Sequence, residues 1–264
     1  MNNAIYGAIS RLAPPAASGG ARVLLYHAIG DRDPVDRMAL RVQRDRFIEQ
    51  MTTLRDDGYT VVPLASIFQR DDNRHRVAIT FDDGYESQLW GAEVLRRFEF
   101  PATFFIVPRY LDGVCVDSRY WERWGHMGWK QAEELTREGF ELGAHSTTHP
   151  DLTSCDDSEL RKEVAGSRAM LEQRLGRTII SFSYPFGRHN HRVRDAVQAA
   201  GYQLACTSRY GVNRTIDPRY GVCRTEVGGD DDLKTFRRKL RGKYDWLRYW
   251  QDLERWRYPA APSS

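Results

Sequence analysis

The sequence predicts an α/β fold built on a parallel sheet. Short apolar runs rich in β-branched and aromatic residues alternate with longer stretches of helical period, which is typical of that class. Acidic, histidine and aromatic motifs directly follow several of the apolar runs, where the loops after parallel strands come together on one face. The chain has 264 residues, of which 41% are hydrophobic, so it can bury the core of one large domain.

Six of the apolar runs are predicted as strands, because each is short and rich in strand-forming residues. In chain order they span residues 22–27, 77–81, 103–107, 140–144, 179–184 and 202–207. Five stretches of helical period are predicted as helices, at residues 45–57, 86–97, 129–138, 156–175 and 191–200. In the fourth helix, Leu160 and Val164 are part of an apolar side, and Gly176 stands where a C-cap glycine belongs. This helix is expected to cover the sheet.

The chain is predicted to contain one domain with two extensions. Residues 1–20 are expected to form a loosely attached arm, and residues 21–241 form the domain. Residues 242–264 form a basic, aromatic tail. From 234 to 257, apolar residues recur every three or four positions among nine Lys or Arg and three Asp or Glu, which indicates a helix. Such a helix can dock on the domain or lie on an anionic membrane, and we favour docking.

Composition and charge exclude several classes of protein. The net charge of +3 is too small to indicate a nucleic-acid partner. The four cysteines are widely spaced, which argues against a zinc ribbon or a disulfide framework and favours a reducing compartment. The N-terminal apolar stretch is broken by Gly7 and ended by Arg11, and the longest apolar run, 102–107, is too short to span a bilayer. We therefore expect a cytoplasmic protein, with peripheral membrane contact through the tail as the alternative to docking.

Two adjacent carboxylates, Asp82 and Asp83, follow the second predicted strand and precede a glycine. Alone, this pattern is also explained by a strand-to-helix turn with Asp83 as the N-cap. His145 and His149 follow the fourth predicted strand, at positions i and i+4. One carboxylate and two imidazoles make a three-ligand metal site with room for water, which is the catalytic rather than the structural pattern.

The two aspartates are expected to have different roles. Adjacent side chains on an extended segment point to opposite sides, so one aspartate can ligate a metal while the other faces its open positions. A divalent ion lowers the pKa of its bound water from about 16 to roughly 7 and polarises a carbonyl oxygen beside it. The predicted reaction is therefore metal-assisted hydrolysis of an amide or ester. His27 and the motif at 184–187 stand at the ends of two further predicted strands, on the same face.

These motifs resemble those of the polysaccharide deacetylases of the NodB-homology type, also called carbohydrate esterase family 4. The resemblance extends over about 23–240. Asp82 resembles the family's catalytic base. The metal ligands implied by the resemblance are Asp83, His145 and His149. The resemblance further implies a distorted (β/α) barrel of about seven parallel strands, a divalent ion (Zn²⁺ first, with Co²⁺, Ni²⁺ or Mn²⁺ as alternatives) and removal of an acetyl group from an N-acetylated sugar.

The segment 182–187 is similar to the family's third motif, which forms one wall of the substrate groove. The residues that the resemblance implies for substrate binding are Tyr184, Pro185, Phe186 and Gly187, with the backbone N–H of Phe186 donating to the oxyanion. Ser183 stands where the family has an arginine that braces the base. Arg224 is a candidate replacement from a different strand; the alternative is that it makes a structural ion pair.

The family's late Leu-x-His motif, whose histidine is the general acid, is absent, because no histidine follows His191. His27 follows a tyrosine, and this pair resembles a signature in the branch that acts on exopolysaccharide glucosamine. We expect His27 either to donate the proton at the active site or to close the barrel end through a hydrogen bond. His189 and His191 are expected in a solvated loop, with substrate contact as the alternative. His75 and His126 belong to none of these motifs, and no role is predicted for them.

The sequence as a whole predicts a metal-dependent hydrolase that removes an N-acetyl group from an amino sugar in a polysaccharide or lipid-linked glycan, with Asp82 as base. By analogy with the family, we expect a role in bacterial exopolysaccharide synthesis, an N-acetylated saccharide partner and no nucleic acid. One alternative is a deformylase or deacylase of a lipid-linked amino sugar. Another is a non-catalytic glycan-binding protein, which would not need a second carboxylate beside the ligand. An aromatic insertion at 120–129 is expected either to stack on sugar rings or to pack beneath a loop.

Overall fold

The computed structural model describes residues 9–10, 20–34, 36, 38–69, 75–113, 124–214, 218–249 and 251. Within these residues there are ten strands: β1 (Arg22–Tyr26), β2 (Ala28–Ile29), β3 (Arg41–Val42), β4 (Thr60–Val61), β5 (Arg76–Phe81), β6 (Ala102–Ile106), β7 (Glu141–Ala144), β8 (Ser181–Ser183), β9 (Leu204–Cys206) and β10 (Thr225–Glu226). Seven α-helices have their bounds within the same residues: α1 (Arg44–Asp56), α2 (Gln88–Arg97), α3 (Pro108–Leu111), α4 (Trp129–Arg137), α5 (Asp157–Leu175), α6 (His191–Ala199) and α7 (Leu233–Leu240). Short 3₁₀ turns lie at Leu64–Ser66, Pro185–Gly187 and Arg219–Gly221.

All six predicted strands and all five predicted helices are confirmed, with bounds that differ by no more than two residues. The strands β2, β3, β4 and β10 and the helix α3 were not predicted from the sequence. Each of these elements has two to four residues. So short a segment carries no readable period, and these elements depend on tertiary contacts.

The strands form a curved, parallel sheet. Its main path has the order β10-β1-β5-β6-β7-β8-β9, with β4 paired to the start of β5, and β2 and β3 form a separate pair. The register places Leu24 beside Ile79 and Phe81 beside Phe104. At the ends of the path, β9 meets the segment before β10 through a parallel bridge from Cys206 to Val222. The seven-strand path is therefore a distorted barrel, as predicted.

Alternate residues along each strand face opposite sides of the sheet. On β1 and β5, Leu24 and Ile79 belong to the large apolar cluster that includes the buried residues of the helices. Ala78 belongs to a second cluster on the other side, which lines the interior of the barrel. Thr80 is fully buried and continues the inner row. The same spacing of two places Asp82 at the inner rim, where β5 ends.

Helix α5 has the ends that its sequence predicts. Its N-cap Asp156 accepts hydrogen bonds from two backbone N–H groups of the first turn, and Glu159 accepts one from the Asp156 N–H, which makes a capping box. Gly176 ends the helix with a φ of 62°, in the left-handed region that favours glycine. Leu160 and Val164 are buried. The helix therefore covers the sheet, as expected.

The predicted helix at 234–257 is interrupted by a turn in the described residues, and helical residues resume at 247–249 and 251. Helix α7 ends at Leu240, and residues 241–246 form turns in which Gly242 has a φ of 72°. The Arg22 guanidinium donates to the Leu240 carbonyl at 3.0 Å and pairs with Asp245 at 2.9 Å. The described part of the tail is thus docked on the barrel.

The two predicted extensions lie largely outside the described residues. Residues 1–8 and 11–19 of the arm and residues 252–264 of the tail are not among them. In the part of the chain that the structure describes, no helix is both long and apolar enough to cross a membrane.

Candidate active site

Asp82 lies at the inner rim of the barrel, at the end of β5. Its backbone N–H donates to the Tyr26 carbonyl at 3.0 Å, which extends the pairing of β5 with β1. Asp82 is only 3% exposed. Both of its carboxylate oxygens accept from Arg224, since Nη1 donates to Oδ1 and Nη2 donates to Oδ2, each at 2.7 Å. Ser183 Oγ adds a third donor to Oδ2, at 3.0 Å.

Arg224 is fully buried and is held by several groups. Its Nε donates to the Thr207 carbonyl at 2.8 Å, and its guanidinium lies 5.6 Å from the centre of the Phe105 ring. Burial alone would raise the pKa of Asp82, but the charge and hydrogen bonds of Arg224 hold that pKa below its ordinary value. Asp82 is therefore an ionised carboxylate with a fixed orientation. Arg224 therefore makes the contact with Asp82 that the candidate brace requires, and this contact is also a buried ion pair.

Asp83, His145 and His149 converge beside Asp82. Asp83 Oδ1 lies 3.4 Å from His145 Nε2 and 3.5 Å from His149 Nε2. All three side chains are buried, and one ligand atom from each lies within 4.8 Å of the other two. The structure thus brings together the three residues predicted to bind a metal.

Left-handed backbone at non-glycine residues shapes this cluster. The φ angle is 76° at Asp83, 60° at Ser146 and 64° at His149. Such conformations are costly for residues with a Cβ and are concentrated at functional sites. At Asp83 the backbone has left the extended conformation, so neighbouring side chains no longer point to opposite sides. Asp82 and Asp83 therefore reach the same site.

The orientation of His145 is set by Ser183, whose carbonyl oxygen lies 2.8 Å from Nδ1. Nδ1 donates its proton there, and Nε2 is turned toward Asp83. Burial alone would lower the pKa of His145, but the charges of Asp82 and Asp83 raise it. Burial and the charge of His145 lower the pKa of His149 to about 4. Burial alone would raise the pKa of Asp83, but the hydrogen bond with His145 and the histidine charges hold it below its ordinary value.

This donor set fits a divalent metal ion. A tetrahedral Zn²⁺ with bonds of about 2.0 to 2.1 Å to nitrogen and oxygen keeps its donors about 3.4 Å apart. The separations from Asp83 Oδ1 to the two histidine nitrogens are 3.4 and 3.5 Å. Three protein donors leave a position for water or substrate. The donor types alone do not distinguish Zn²⁺ from other transition-metal ions.

Glu163 on α5 braces the loop between the two histidines, a role that was not predicted from the sequence. Its Oε2 accepts from the backbone N–H groups of Thr147 and Thr148, each at 2.8 Å. Its Oε1 accepts from Thr148 Oγ1 at 2.6 Å. Hydrogen bonds to a carboxylate are among the strong ones, so Glu163 holds this turn in place. The sequence gives only a weak signal for this role, because Glu163 is simply an acidic residue next to Val164, which is buried on the helix.

The third motif contributes one exposed ring and a tight turn. Phe186 has a φ of 58°, is 46% exposed and lies with its ring 4.7 Å from the ring of His149. Gly187 has a φ of 64°, and a Cβ there would lie 2.7 Å from the backbone nitrogen of Ser208, so the turn requires glycine.

The other residues of this motif support the turn from beneath. Tyr184 and Pro185 are buried, as is Gly187. The Tyr184 hydroxyl donates to the Tyr220 carbonyl at 3.1 Å. Among the four residues predicted to bind substrate, Phe186 is the one whose side chain faces solvent.

His27 follows β1 and lies at the same rim. Its Nδ1 is 4.0 Å from Glu226 Oε1, too far for a hydrogen bond. This nitrogen is buried and has no hydrogen-bond partner among the residues that the structure describes. The charge of His27 contributes to the low pKa values of Asp82 and Asp83, so the imidazole is near both. The hydrogen bond proposed to close the barrel end is not formed at this nitrogen in the described part of the chain.

His126 lies closer to the site than the sequence indicated. Its ring stacks on Tyr85 with a centroid distance of 5.0 Å and lies 4.5 Å from the ring of Tyr110. Burial lowers the pKa of His126, and the charge of Asp83 acts in the opposite direction, which places that ligand nearby. The sequence carries no signal for this position, because an antiparallel bridge between Tyr85 and His126 brings together distant segments.

The remaining predicted features lie at the periphery. His189 stacks on the buried tyrosine of the third motif at 4.6 Å, and His191 is exposed at the start of α6. The indole N–H groups of Trp124 and Trp129 each donate to an aspartate, at 2.8 and 2.6 Å. The described part of the aromatic insertion is therefore packed against neighbouring loops; residues 120–123 lie outside the described residues.

A model of the polysaccharide deacetylase family matches residues 69–205, just over half of the chain. A putative polysaccharide deacetylase of Bacillus subtilis, YxkH, is 28% identical over 211 residues, which are 78% of this chain and 70% of the relative. A chitooligosaccharide deacetylase of Rhizobium leguminosarum is 27% identical over 154 residues, which are 56% of this chain and 60% of that protein. A poly-β-1,6-N-acetyl-D-glucosamine N-deacetylase of Escherichia coli is 27% identical over 151 residues, which are 50% of this chain and 21% of that protein.

Solved structures with this fold include two bacterial deacetylases. A polysaccharide deacetylase from Bacillus cereus superposes with a TM-score of 0.71 at 25% identity, over 84% of this chain and 69% of that chain. A Streptococcus pyogenes deacetylase, solved in complex with acetate, superposes with a TM-score of 0.74 at 20% identity, over 85% of this chain and 99% of that chain.

Proposed function

This chain belongs to the polysaccharide deacetylase family, carbohydrate esterase family 4, and from that premise we propose that it removes the N-acetyl group from an amino sugar of a polysaccharide by metal-dependent hydrolysis. It is a hydrolase of carbon–nitrogen bonds other than peptide bonds. The observation that carries the proposal is the ion pair of Asp82 with Arg224 beside a three-ligand donor set. A general base must be ionised and oriented, and Arg224 supports both conditions at Asp82, which lies outside the group of three candidate ligands.

We assign Asp83, His145 and His149 as the ligands of a divalent ion, with Zn²⁺ as the first choice. When bound, the ion would lower the pKa of a water molecule and polarise the acyl carbonyl. His145 is prepared for this role because its Nδ1 already donates to the Ser183 carbonyl, an arrangement common among metal-ligating histidines. Glu163 keeps the loop that carries both histidines in one conformation.

Asp82 is assigned as the base that takes a proton from the attacking water. Arg224 keeps the carboxylate ionised and fixes its plane, because the guanidinium contacts both oxygens. The backbone N–H of Phe186 is assigned to the oxyanion that forms on the acyl group. The turn that presents this N–H also places the Phe186 ring beside His149.

His27 is assigned as the proton donor to the leaving amine. An amide anion is too basic to leave unprotonated, and an imidazole is the usual donor near neutral pH. His27 lies near both aspartates, and the Glu226 carboxylate lies 4.0 Å from its Nδ1.

Glucosamine polymers are the proposed substrate class. Two relatives are named for chitooligosaccharide and for poly-β-1,6-N-acetyl-D-glucosamine. The half-exposed ring of Phe186 offers an apolar face for a sugar ring at the edge of the site. The second carboxylate, Asp82, supports a hydrolase over a glycan-binding protein, which would not need it beside the metal ligand.

The test is acetate release from N-acetylglucosamine oligomers with β-1,4 and β-1,6 linkages, measured after chelation and again after addition of Zn²⁺. We expect release that depends on the metal, and N-formylated and lipid-linked analogues then define the acyl group and the carrier. Asp82→Asn is the matched control, because it keeps the shape of the side chain and removes the base. Absence of release from every N-acetyl sugar by the Zn²⁺-loaded protein would contradict the proposed function.

A further inference from the structure

The segment 207–210 holds Arg224 from the side opposite Asp82. The Arg224 backbone N–H donates to the Arg209 carbonyl at 2.8 Å. Its side-chain Nε donates to the Thr207 carbonyl, also at 2.8 Å. Two carbonyl groups of one short segment therefore fix both the backbone and the guanidinium of Arg224. A shift of this segment would move the guanidinium relative to the Asp82 carboxylate.

The side chain of Gln251 clamps the same segment. Its Oε1 accepts from the backbone N–H of Tyr210 at 3.1 Å, and its Nε2 donates to the carbonyl of Ser208 at 2.9 Å. Ser208 and Tyr210 flank Arg209, whose carbonyl accepts the hydrogen bond from the Arg224 backbone N–H. A planar amide that makes both bonds fixes the distance between the two backbone groups.

The C-terminal segment that carries Gln251 has its own anchor on the barrel. Asp245 accepts two hydrogen bonds from Arg22, at 2.9 and 3.1 Å, and Tyr244 is buried. Loss of the Gln251 contacts would therefore leave the preceding part of the segment attached. Gln251 can be altered without releasing the segment as a whole.

We propose that Gln251 is a positioning residue for the reaction, which keeps Arg224 aligned with Asp82 by clamping the segment 207–210. This inference rests on the proposed function, because it takes Asp82 as the base. It places a residue of the predicted tail, outside the predicted domain at 21–241, in the support of the active site.

The first test does not depend on activity. Gln251→Met keeps the length of the side chain and removes both hydrogen bonds. Arg248→Met is the matched control, because the Arg248 side chain lies on the same segment and donates to the Tyr249 hydroxyl. Hydrogen–deuterium exchange in peptides covering Tyr210 and Arg224 should become about fivefold faster in Gln251→Met and stay unchanged in Arg248→Met. Unchanged exchange in Gln251→Met would overturn the clamp, whether or not the wild type releases acetate.

The second test measures coupling in turnover. Gln251→Met should lower kcat for acetate release by about threefold to tenfold with KM unchanged, and it should have no further effect in the Arg224→Met background. An equal loss of kcat in both backgrounds would show that Gln251 acts through another path and would overturn the proposal. If Arg224→Met does not fold, the hydrogen–deuterium exchange of Gln251→Met decides whether the clamp exists. A wild type without acetate release contradicts the proposed function, and the exchange test of the clamp still stands.

Discussion

Replacing Arg224 by methionine removes the positive charge that faces Asp82 and leaves a side chain of similar length. Arg224 is 0% exposed and Asp82 is 3% exposed. Water therefore cannot replace the guanidinium as the partner of the Asp82 carboxylate. Breaking a buried ion pair by removing one partner costs about 3 to 5 kcal/mol. We therefore expect Arg224→Met to lower the free energy of unfolding by about 4 kcal/mol, roughly a thousandfold in the equilibrium constant.

The same substitution should remove most of the turnover. Without Arg224, burial is the largest influence on the pKa of Asp82, and burial raises it. The carboxylate also loses the two donors that fix its plane, so acetate release should slow by about 10²- to 10⁴-fold. Bound zinc should be retained, because the substitution leaves the three ligands in place.

Urea denaturation in the presence of a chelator measures the stability effect without a contribution from bound metal. Asp82→Asn alone leaves the charge of Arg224 buried and unpaired, whereas the double variant leaves two neutral side chains. The sum of the two single losses should therefore exceed the loss in the double variant by about 2 to 3 kcal/mol. Additive losses, or an Arg224→Met variant within about 1 kcal/mol of the wild type, would refute the assignment of a tightly coupled buried pair.

Three further substitutions test separate parts of the site and barrel. Glu163→Ala should weaken Zn²⁺ binding about 10- to 100-fold in a competition titration, because the histidine loop loses its brace; an unchanged affinity would contradict this role. His27→Ala should retain zinc, slow amide hydrolysis strongly and spare an activated aryl ester, whereas equal losses on both substrates would show that His27 only shapes the site. Burial raises the pKa of Glu141 in the folded protein, despite its hydrogen bond from Ser181. The folded wild type therefore loses stability as the pH rises from the pKa of the unfolded chain through the higher pKa of the folded state. As the pH rises above about 4, Glu141→Gln should therefore gain in Tm relative to the wild type, and a difference independent of pH would contradict this account.

The predictable part of the structure is the part encoded locally. Each predicted strand is an apolar run, and each predicted helix has a readable period, so neighbouring residues were enough to locate them. The metal ligands were predictable for a related reason. Asp83, His145 and His149 follow strands of a parallel sheet, whose ends meet on one face whatever the detailed path of the chain.

The partners that tertiary structure alone brings together were harder to predict. Arg224 directly precedes β10 and reaches Asp82 from that strand. The indication in the sequence was Ser183, which stands where the family has the arginine that braces the base. Glu163 contacts the histidine loop from a helix that follows it, and His126 meets Tyr85 through a bridge between distant segments. None of these contacts leaves a pattern in adjacent residues.

The tail shows how periodicity can mislead. Apolar residues recur at helical spacing beyond Leu240, but Gly242 adopts a left-handed conformation and the chain turns. The ion pair of Asp245 with Arg22 stabilises this turn against the barrel. Gly242 is itself a local stop signal: its N–H donates to the Lys239 carbonyl and the Lys243 N–H donates to the Arg238 carbonyl, as at a glycine-capped helix end, and helical residues resume at 247–249.

The division of roles between Asp82 and Asp83 is tested most directly by measuring bound zinc and acetate release in the same preparations of two variants. Asp82→Asn should hold about one Zn²⁺ per chain and release acetate about 10²- to 10⁴-fold more slowly than the wild type. Asp83→Asn should hold little zinc at the same free concentration, because it lacks the anionic ligand. Zinc lost from Asp82→Asn but kept by Asp83→Asn would contradict the assignment.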